Sequence, residues 1–292
     1  MIAIERRRRF QPTSNFDARG GLYNPGAWRL RPDAPTQVLL RREAAYPFLK
    51  RPSLVPLYWC ESPGILGTVL QETTIIGHHA DARLEDFRPI LFQDQVIVAH
   101  TSARDDQIKP VLSLFDPEAR TLTRWDDFHL PIRLAPVEKN WVLATDGDTL
   151  YTVYALDPFT VFFFDTGHVW RRARLPYRTD WNAAVGKPPR NSCNLLPFAG
   201  GYLGWWHLIF DRWYVQGAYW VDWEFSDLRR TGILFDGQDV TDGFKPGVLY
   251  LSSQVDRGDR LELWFGEGDA FTSVATVEKR EIAERLGVEG DL

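Results

Sequence analysis

The feature that most constrains this chain is a fivefold recurrence of one pattern: a short apolar strand, a turn of Gly, Asp or Asn, then further apolar-aromatic strands. The copies begin at residues 24, 88, 140, 194 and 247, spaced by 64, 52, 54 and 53 residues by subtraction. Several strands in a repeat of roughly 40–50 residues is the signature of propeller blades. The segments 149–156, 160–164 and 213–221 are rich in β-branched and aromatic residues, as strands require. Turn chemistry bounds them at Asp146-Gly147, Asp157-Pro158, Gly200-Gly201 and Gly258-Asp259. The expected fold is all-β: a five-bladed propeller with blades over about 22–80, 84–135, 137–187, 190–243 and 245–278, forming one domain over 1–292. The one helical pattern is the charged segment 277–286, read as a short terminal helix. Residues 1–20 are expected to lie outside the blades as an N-terminal arm.

A propeller matters for function because every blade delivers one loop to a common funnel. Composition narrows what that funnel serves. The chain has 292 residues and a formal net charge of −5, which argues against nucleic acid as a partner. The basic run Arg6–Arg9 reads as a solvated arm. An arm of about 20 residues could reach a neighbouring copy, which leaves homo-oligomerisation open. No apolar run follows the arginines, no stretch of about 18 apolar residues exists, and two cysteines make no disulfide framework. The expected location is cytoplasmic, without a membrane span. Neither paired cysteines nor an HExxH spacing suggests a metal.

Candidate chemistry clusters at the blade starts. Glu85, Asp86 and Arg88 enter the second blade. Strand alternation would put Asp86 and Arg88 on one face and Glu85 on the other. An arginine can orient an aspartate, and burial can keep a carboxylic acid protonated as a general acid; the same residues also suit a structural ion pair. Glu138, Lys139, Asn140 and Trp141 open the third blade. Lys139 could hold a phosphate or a substrate oxygen, or lay its stem on Trp141. Arg190 opens the fourth blade, which continues to His207, either a site residue or a satisfied core histidine. Tyr214 is spaced to lie on the neighbouring strand of that hairpin. In the fifth, Gly266, Glu267, Gly268 and Asp269 end a strand with glycines that let backbone or ligand approach closely. The twelve tryptophans fit inter-blade packing, or stacking of one or two on sugar faces. There is no nucleophile elbow and no phosphate-binding glycine loop. Carboxylates and aromatics without a metal signature suit glycosyl transfer.

Taken in order, these residues resemble glycoside hydrolase family 130. Glu85-Asp86-Phe87-Arg88 is similar to that family's Glu-Asp-Pro-Arg signature, with Phe87 in place of proline. Asn24-Pro25, Lys139-Asn140, His207 with Tyr214, and the closing Gly266–Asp269 stretch follow in register over about residues 22–278. The resemblance implies an inverting enzyme that cleaves or phosphorolyses β-mannosides, with Asp86 as general acid. It implies Arg88 holding the aspartate or the sugar, and Asn24 and Asp269 binding the glycone. Lys139, His207 and Tyr214 would meet phosphate or an acceptor, and Glu85, Asn140 and Arg190 would complete the substrate-binding set. No cofactor is implied; orthophosphate enters as a co-substrate, and the partner is an oligosaccharide or sugar phosphate. The arginines with which the family's phosphorylases clamp phosphate are replaced by a stretch holding Arg104, Asp105, Asp106 and Lys109. A hydrolase would need a base, for which Glu138 and Glu267 are the candidates. The related β-mannosyltransferases of glycosyltransferase family 108 give an alternative, with a nucleotide sugar or mannose-1-phosphate as donor. A non-catalytic carbohydrate-binding propeller is the third reading.

Overall fold

The computed structural model describes residues 5–9, 21–43, 57–62, 71–79, 82–104, 107–126, 128–165, 169–179, 181 and 188–290. Five sheets follow one another along the chain. Each begins with the strand that the repeat announces: Gly21–Trp28, Arg83–Phe92, Val142–Thr145, the interrupted pair Arg190–Asn191 and Leu196–Phe198, and Leu249–Asp256. Antiparallel neighbours are then added outward.

What makes these sheets a propeller is that both faces of each are apolar. In Gln95–Arg104, Val96 and Val98 pack toward the first sheet, whereas Ile97 and Ala99 pack toward the third. In Val142–Thr145, Leu143 faces the second sheet while Val142 and Ala144 face the fourth. In Arg260–Glu267, Leu261, Leu263 and Phe265 face the fourth sheet and Trp264 faces the first. A period of two therefore feeds two different cores. Five such clusters join successive sheets, and the one containing Leu22, Val38, Val255 and Trp264 joins the fifth back to the first. Among the described residues these five clusters close the ring.

The N-terminal residues behave differently from the expected arm. Strand Glu5–Arg9 pairs antiparallel with Phe271–Glu278 and is the outer strand of the fifth sheet. The two ends of the chain thus share one sheet, and the edge of Phe271–Glu278 gains a partner that its hydrogen-bonding groups require. Residues 1–4 and 10–20 of the expected arm lie outside the described residues. The C-terminal helix Lys279–Leu286 forms as expected and buries Ile282, Ala283 and Leu286 against the interface of the fourth and fifth sheets. Gly287, at φ 65°, ends it in a left-handed cap. No helix among the described residues is long and apolar enough to cross a membrane.

A polar belt ties the inner strands on the axis. Asn194 donates to the carbonyls of Arg88 and Pro89, at 2.8 and 3.1 Å, and accepts from the Leu143 amide at 2.8 Å. Gln254 donates to the carbonyls of Asn194 and Leu203 at 2.9 and 3.0 Å. Ser252 and Ser253 donate to the carbonyl of Pro25, at 2.8 and 3.0 Å. Every sheet contributes to this belt. Asn194→Ala strips three of its bonds and strands buried groups of the second and third sheets. The variant should lose about 2–4 kcal/mol of stability, read as a lower midpoint in urea denaturation.

Candidate active site

The first residues of the inner strands surround a cavity of ≈ 190 Å³ at one mouth of the propeller. Nine of the ten expected site residues line it: Asn24, Glu85, Asp86, Lys139, Asn140, Arg190, His207, Tyr214 and Asp269. Arg88 does not line it but sits buried behind, 2% exposed.

Backbone conformation explains how these side chains reach the axis. In a regular inner strand every side chain would point into one of the two flanking apolar clusters. Asn24, Asp86, Asn140 and Asp269 instead have φ of 50°, 57°, 63° and 52°. Asn and Asp tolerate this left-handed region better than other non-glycine residues. Strand registers slip at two of these points, between Tyr23 and Gly26 and between Glu85 and Arg88. The second slip overturns the expected alternation: Glu85 and Asp86 both line the cavity, while Leu84 and Phe87 enter the apolar cluster between the first two sheets. A bulge re-aims side chains in this way.

Asp86 is 8% exposed. Its Oδ1 accepts a hydrogen bond from Asn24 Nδ2 at 2.9 Å, and its Oδ2 lies 3.7 Å from Arg88 Nη2. Arg88 also donates to the backbone carbonyl of Asp86 at 3.0 Å, to the carbonyl of Ser192 at 2.8 Å, to Asn140 Oδ1 at 3.3 Å and to the hydroxyl of Tyr250. Burial works against the guanidinium's charge, yet Tyr250 and Asp86 outweigh it and hold its pKa above the ordinary value. Gly266 leaves room for Asn24: a Cβ there would come 2.3 Å from Asn24 Oδ1. The close approach expected at this glycine is thus made by a side chain of the first sheet.

The cavity is rich in cations. Arg41, Arg83, Lys139, Arg190 and Lys245 line it, against the carboxylates Glu85, Asp86 and Asp269. Glu85 is the counter-ion of three of them: Arg41 at 3.8 Å, Lys139 at 3.5 Å, and Arg83 in closer contact. Asp269 pairs with Lys245 at 2.6 Å. The rings of His207 and Tyr214, also in the lining, stack with centroids 5.7 Å apart and planes 9° from parallel. His207 Nδ1 meets Ser192 Oγ at 3.1 Å. Burial, with Arg190 and Arg88 nearby, pulls His207 down to about 3, so the imidazole is neutral at pH 7. Burial and the carboxylates Asp269 and Asp86 push Tyr214 up to about 12, which keeps its phenol a hydrogen-bond donor.

Other expectations fall elsewhere. Glu138 accepts from the Ala135 amide at 2.8 Å and from Tyr154 at 3.2 Å, fixing its own loop, and neither it nor Glu267 lines the cavity. Arg104 and Lys109 lie on paired outer strands away from it; Asp105 and Asp106 are outside the described residues. No tryptophan is among the described lining residues. Trp205 and Trp220 are buried between the fourth and fifth sheets, with indole N–H groups bonded to Gln254 and to the Phe198 carbonyl. Arg41, Arg83, Lys245 and Tyr250 were not signalled by the sequence. Arg41 ends an apolar run as an ordinary outer-strand arginine would, and Tyr250 reads as a core aromatic.

The low pKa of His207 has a consequence for stability. Its unfolded value is about 6.5, so the unfolded chain binds a proton more readily than the folded one between that pH and about 3. The stability of the wild type relative to His207→Gln should be greatest above pH 6.5. It should fall by about 1.4 kcal/mol per pH unit below that. Denaturation of both proteins from pH 7 to 4 checks this, and imidazole ¹⁵N shifts should report a neutral ring throughout.

No protein-family model and no curated protein sequence matches this chain. Solved structures do. A β-1,2-mannobiose phosphorylase from Listeria innocua, in complex with β-1,2-mannobiose, is 14% identical, with 92% of each chain covered and a TM-score of 0.66. A mannose phosphorylase from Leishmania mexicana, in complex with phosphate, is also 14% identical, covering 100% of this chain and 93% of its own, with a TM-score of 0.66. A glycosyl hydrolase from Bacteroides ovatus is 11% identical, covering 89% and 85%, with a TM-score of 0.62. At these identities the likeness establishes a shared propeller fold, in which this chain carries the cavity described above.

Proposed function

We propose that this protein is a carbohydrate-active enzyme that transfers a β-linked mannosyl unit to phosphate with inversion, using Asp86 as its acid. The observation that carries the reading is the pairing, in one cavity, of a single braced aspartate with five cations. Asn24 donates to Oδ1 and Arg88 lies 3.7 Å from Oδ2, so the carboxyl that would carry the proton is oriented from both sides. In the forward step that proton goes to the departing glycosidic oxygen, the bond from C1 to that oxygen breaks, and a phosphate oxygen bonds to C1 from the opposite face. A proton from phosphate restores the acid. Lys139, Arg190, His207 and Tyr214 supply the donors and positive charge that a phosphate needs. Asn24 and Asp269 hold the glycone.

Phosphate is favoured over water as nucleophile because the remaining carboxylates are committed. Glu85 is held by three cations and Asp269 by Lys245. Neither is left as an evident base. The same cavity run in reverse uses mannose-1-phosphate as donor and a sugar hydroxyl as acceptor, which is the transfer alternative. The fold shared with mannoside phosphorylases supports the substrate class.

The test is incubation with β-1,2- and β-1,4-mannobiose, with and without orthophosphate. Mannose-1-phosphate formed only with phosphate is expected. Free mannose in both tubes would mean hydrolysis, and a requirement for a nucleotide sugar would mean a different transferase. Asp86→Asn should lower turnover roughly 10²–10⁴-fold while sugar binding by calorimetry persists; unchanged turnover would remove Asp86 from the mechanism. Gly266→Ala should displace Asn24 and cost about 10²-fold in kcat, with the phosphate KM little changed.

A further inference from the structure

The inner strands that begin at the polar cavity end at a second, larger one. It measures ≈ 910 Å³ and gathers residues from all five sheets at the other mouth of the axis. Trp28, Leu30, Leu91 and Val255 come from the ends of inner strands or the turns that follow, and Leu196 and Pro197 come from the inner strand of the fourth sheet. The belt of Asn194, Ser253 and Gln254 forms polar points in its floor. A volume within roughly 300–1,000 Å³, with apolar walls and a few convergent polar groups, is the usual form of a small-molecule site.

Charge narrows the ligand. Four cations, Arg29, Arg31, Arg257 and Lys279, line this mouth with Asp256 as the one carboxylate among the described lining residues. Asp256 is taken by Lys279 at 2.8 Å, and Arg257 is paired with Glu262 at 3.3 Å. Arg29 donates to two backbone carbonyls, those of Ala34 at 2.7 Å and Asp256 at 3.1 Å. Arg31 is exposed on the turn after Gly21–Trp28. Arg29 and Arg31 therefore stand beside an apolar cavity whose described lining holds four cations and one carboxylate. Burial, and then the charge of Arg257, lower the pKa of Arg29 against the opposing pull of Glu262, Asp33 and Asp256.

We infer that this second mouth binds a small amphipathic anion: an aromatic or aliphatic body seated against Trp28, Leu91 and Leu196, with its phosphate, sulfonate or carboxylate against Arg29 and Arg31. The site is distinct from the cavity around Asp86, and the inference stands whether or not the reading of that cavity holds.

The probe pair is 8-anilinonaphthalene-1-sulfonate and the neutral N-phenyl-1-naphthylamine, which share an aromatic body and differ in the anion. Titration of the full-length protein is followed by dye fluorescence and calorimetry. The sulfonate should bind one per chain, at least tenfold more tightly than the neutral dye. Arg31→Glu, an exposed change that leaves the core intact, should weaken it at least fivefold. Arg29→Met should do the same where circular dichroism confirms the fold. Neither variant should alter binding of the neutral dye. Equal affinity for both dyes, an unchanged constant in Arg31→Glu and Arg29→Met, or the absence of saturable one-to-one binding would each overturn the proposal.

Discussion

The buried guanidinium of Arg88 is the interaction around which the axis is organised. A charge taken out of water is costly unless its donors are all met, and here the acceptors come from four sheets: Asp86, Asn140, Ser192 and Tyr250. The price of burying it is thereby converted into a requirement that those sheets meet in one geometry. Arg88 holds the backbone carbonyl of Asp86 at 3.0 Å and the carboxylate only at 3.7 Å. It fixes the backbone of the residue while the carboxylate stays outside hydrogen-bond distance. Asn24 supplies the remaining constraint by orienting the carboxyl through Oδ1.

Backbone strain completes the positioning. A non-glycine residue in a disfavoured region costs on the order of 1–3 kcal/mol, less for Asn and Asp, and four such residues line one cavity of ≈ 190 Å³. The apolar clusters on both flanks of every inner strand supply the restraint. Leu84 and Phe87, each fully buried on either side of the Glu85–Asp86 bulge, anchor the strand while the two acids turn toward the axis. Packing thus sustains a conformation that the local sequence alone would relax.

The repeats were legible because each inner strand opens with a turn-prone residue and continues as an apolar run, and the alternation within them feeds two cores. Asp86 was legible as an acid beside Arg88 at a blade start, Asp269 as an acid at a glycine-flanked strand end, and Asn24 through the order of motifs shared with the resembled family. The bulge was not: nothing in Leu84-Glu85-Asp86-Phe87 distinguishes a regular strand from one with a left-handed residue, so Glu85 was assigned to the wrong face. Arg41, Arg83 and Lys245 carry no pattern of their own and become site residues only through what lies opposite them. Arg6–Arg9 reads as a solvated arm because four arginines have little strand character; the exposed edge of Phe271–Glu278 supplies the pairing instead. The tryptophans proved hard to apportion from sequence, since a large ring that fills a gap between sheets and one that receives a sugar have the same neighbours along the chain.

The two mouths of the propeller share strands but differ in character because a strand's start and end meet different constraints here. At the starts, left-handed Asn24, Asp86 and Asn140 turn polar groups inward, joined by Asp269 from the turn after Arg260–Glu267; at the ends, Trp28, Leu91 and Val255 present apolar surface. Between them the belt of Asn194, Gln254 and Arg88 fills the axis. Electrostatics follows the same division. The chain as a whole carries a formal charge of −5, yet each mouth has more cations than carboxylates among its described lining residues. At physiological salt, charges beyond roughly 8 Å are largely screened. The acidic exterior therefore does little to oppose an anion once it is inside either mouth, and affinity is decided by the few groups within contact. That is why the pairing of Glu85 with three cations matters more than net charge: it sets how much of the positive field remains for a ligand.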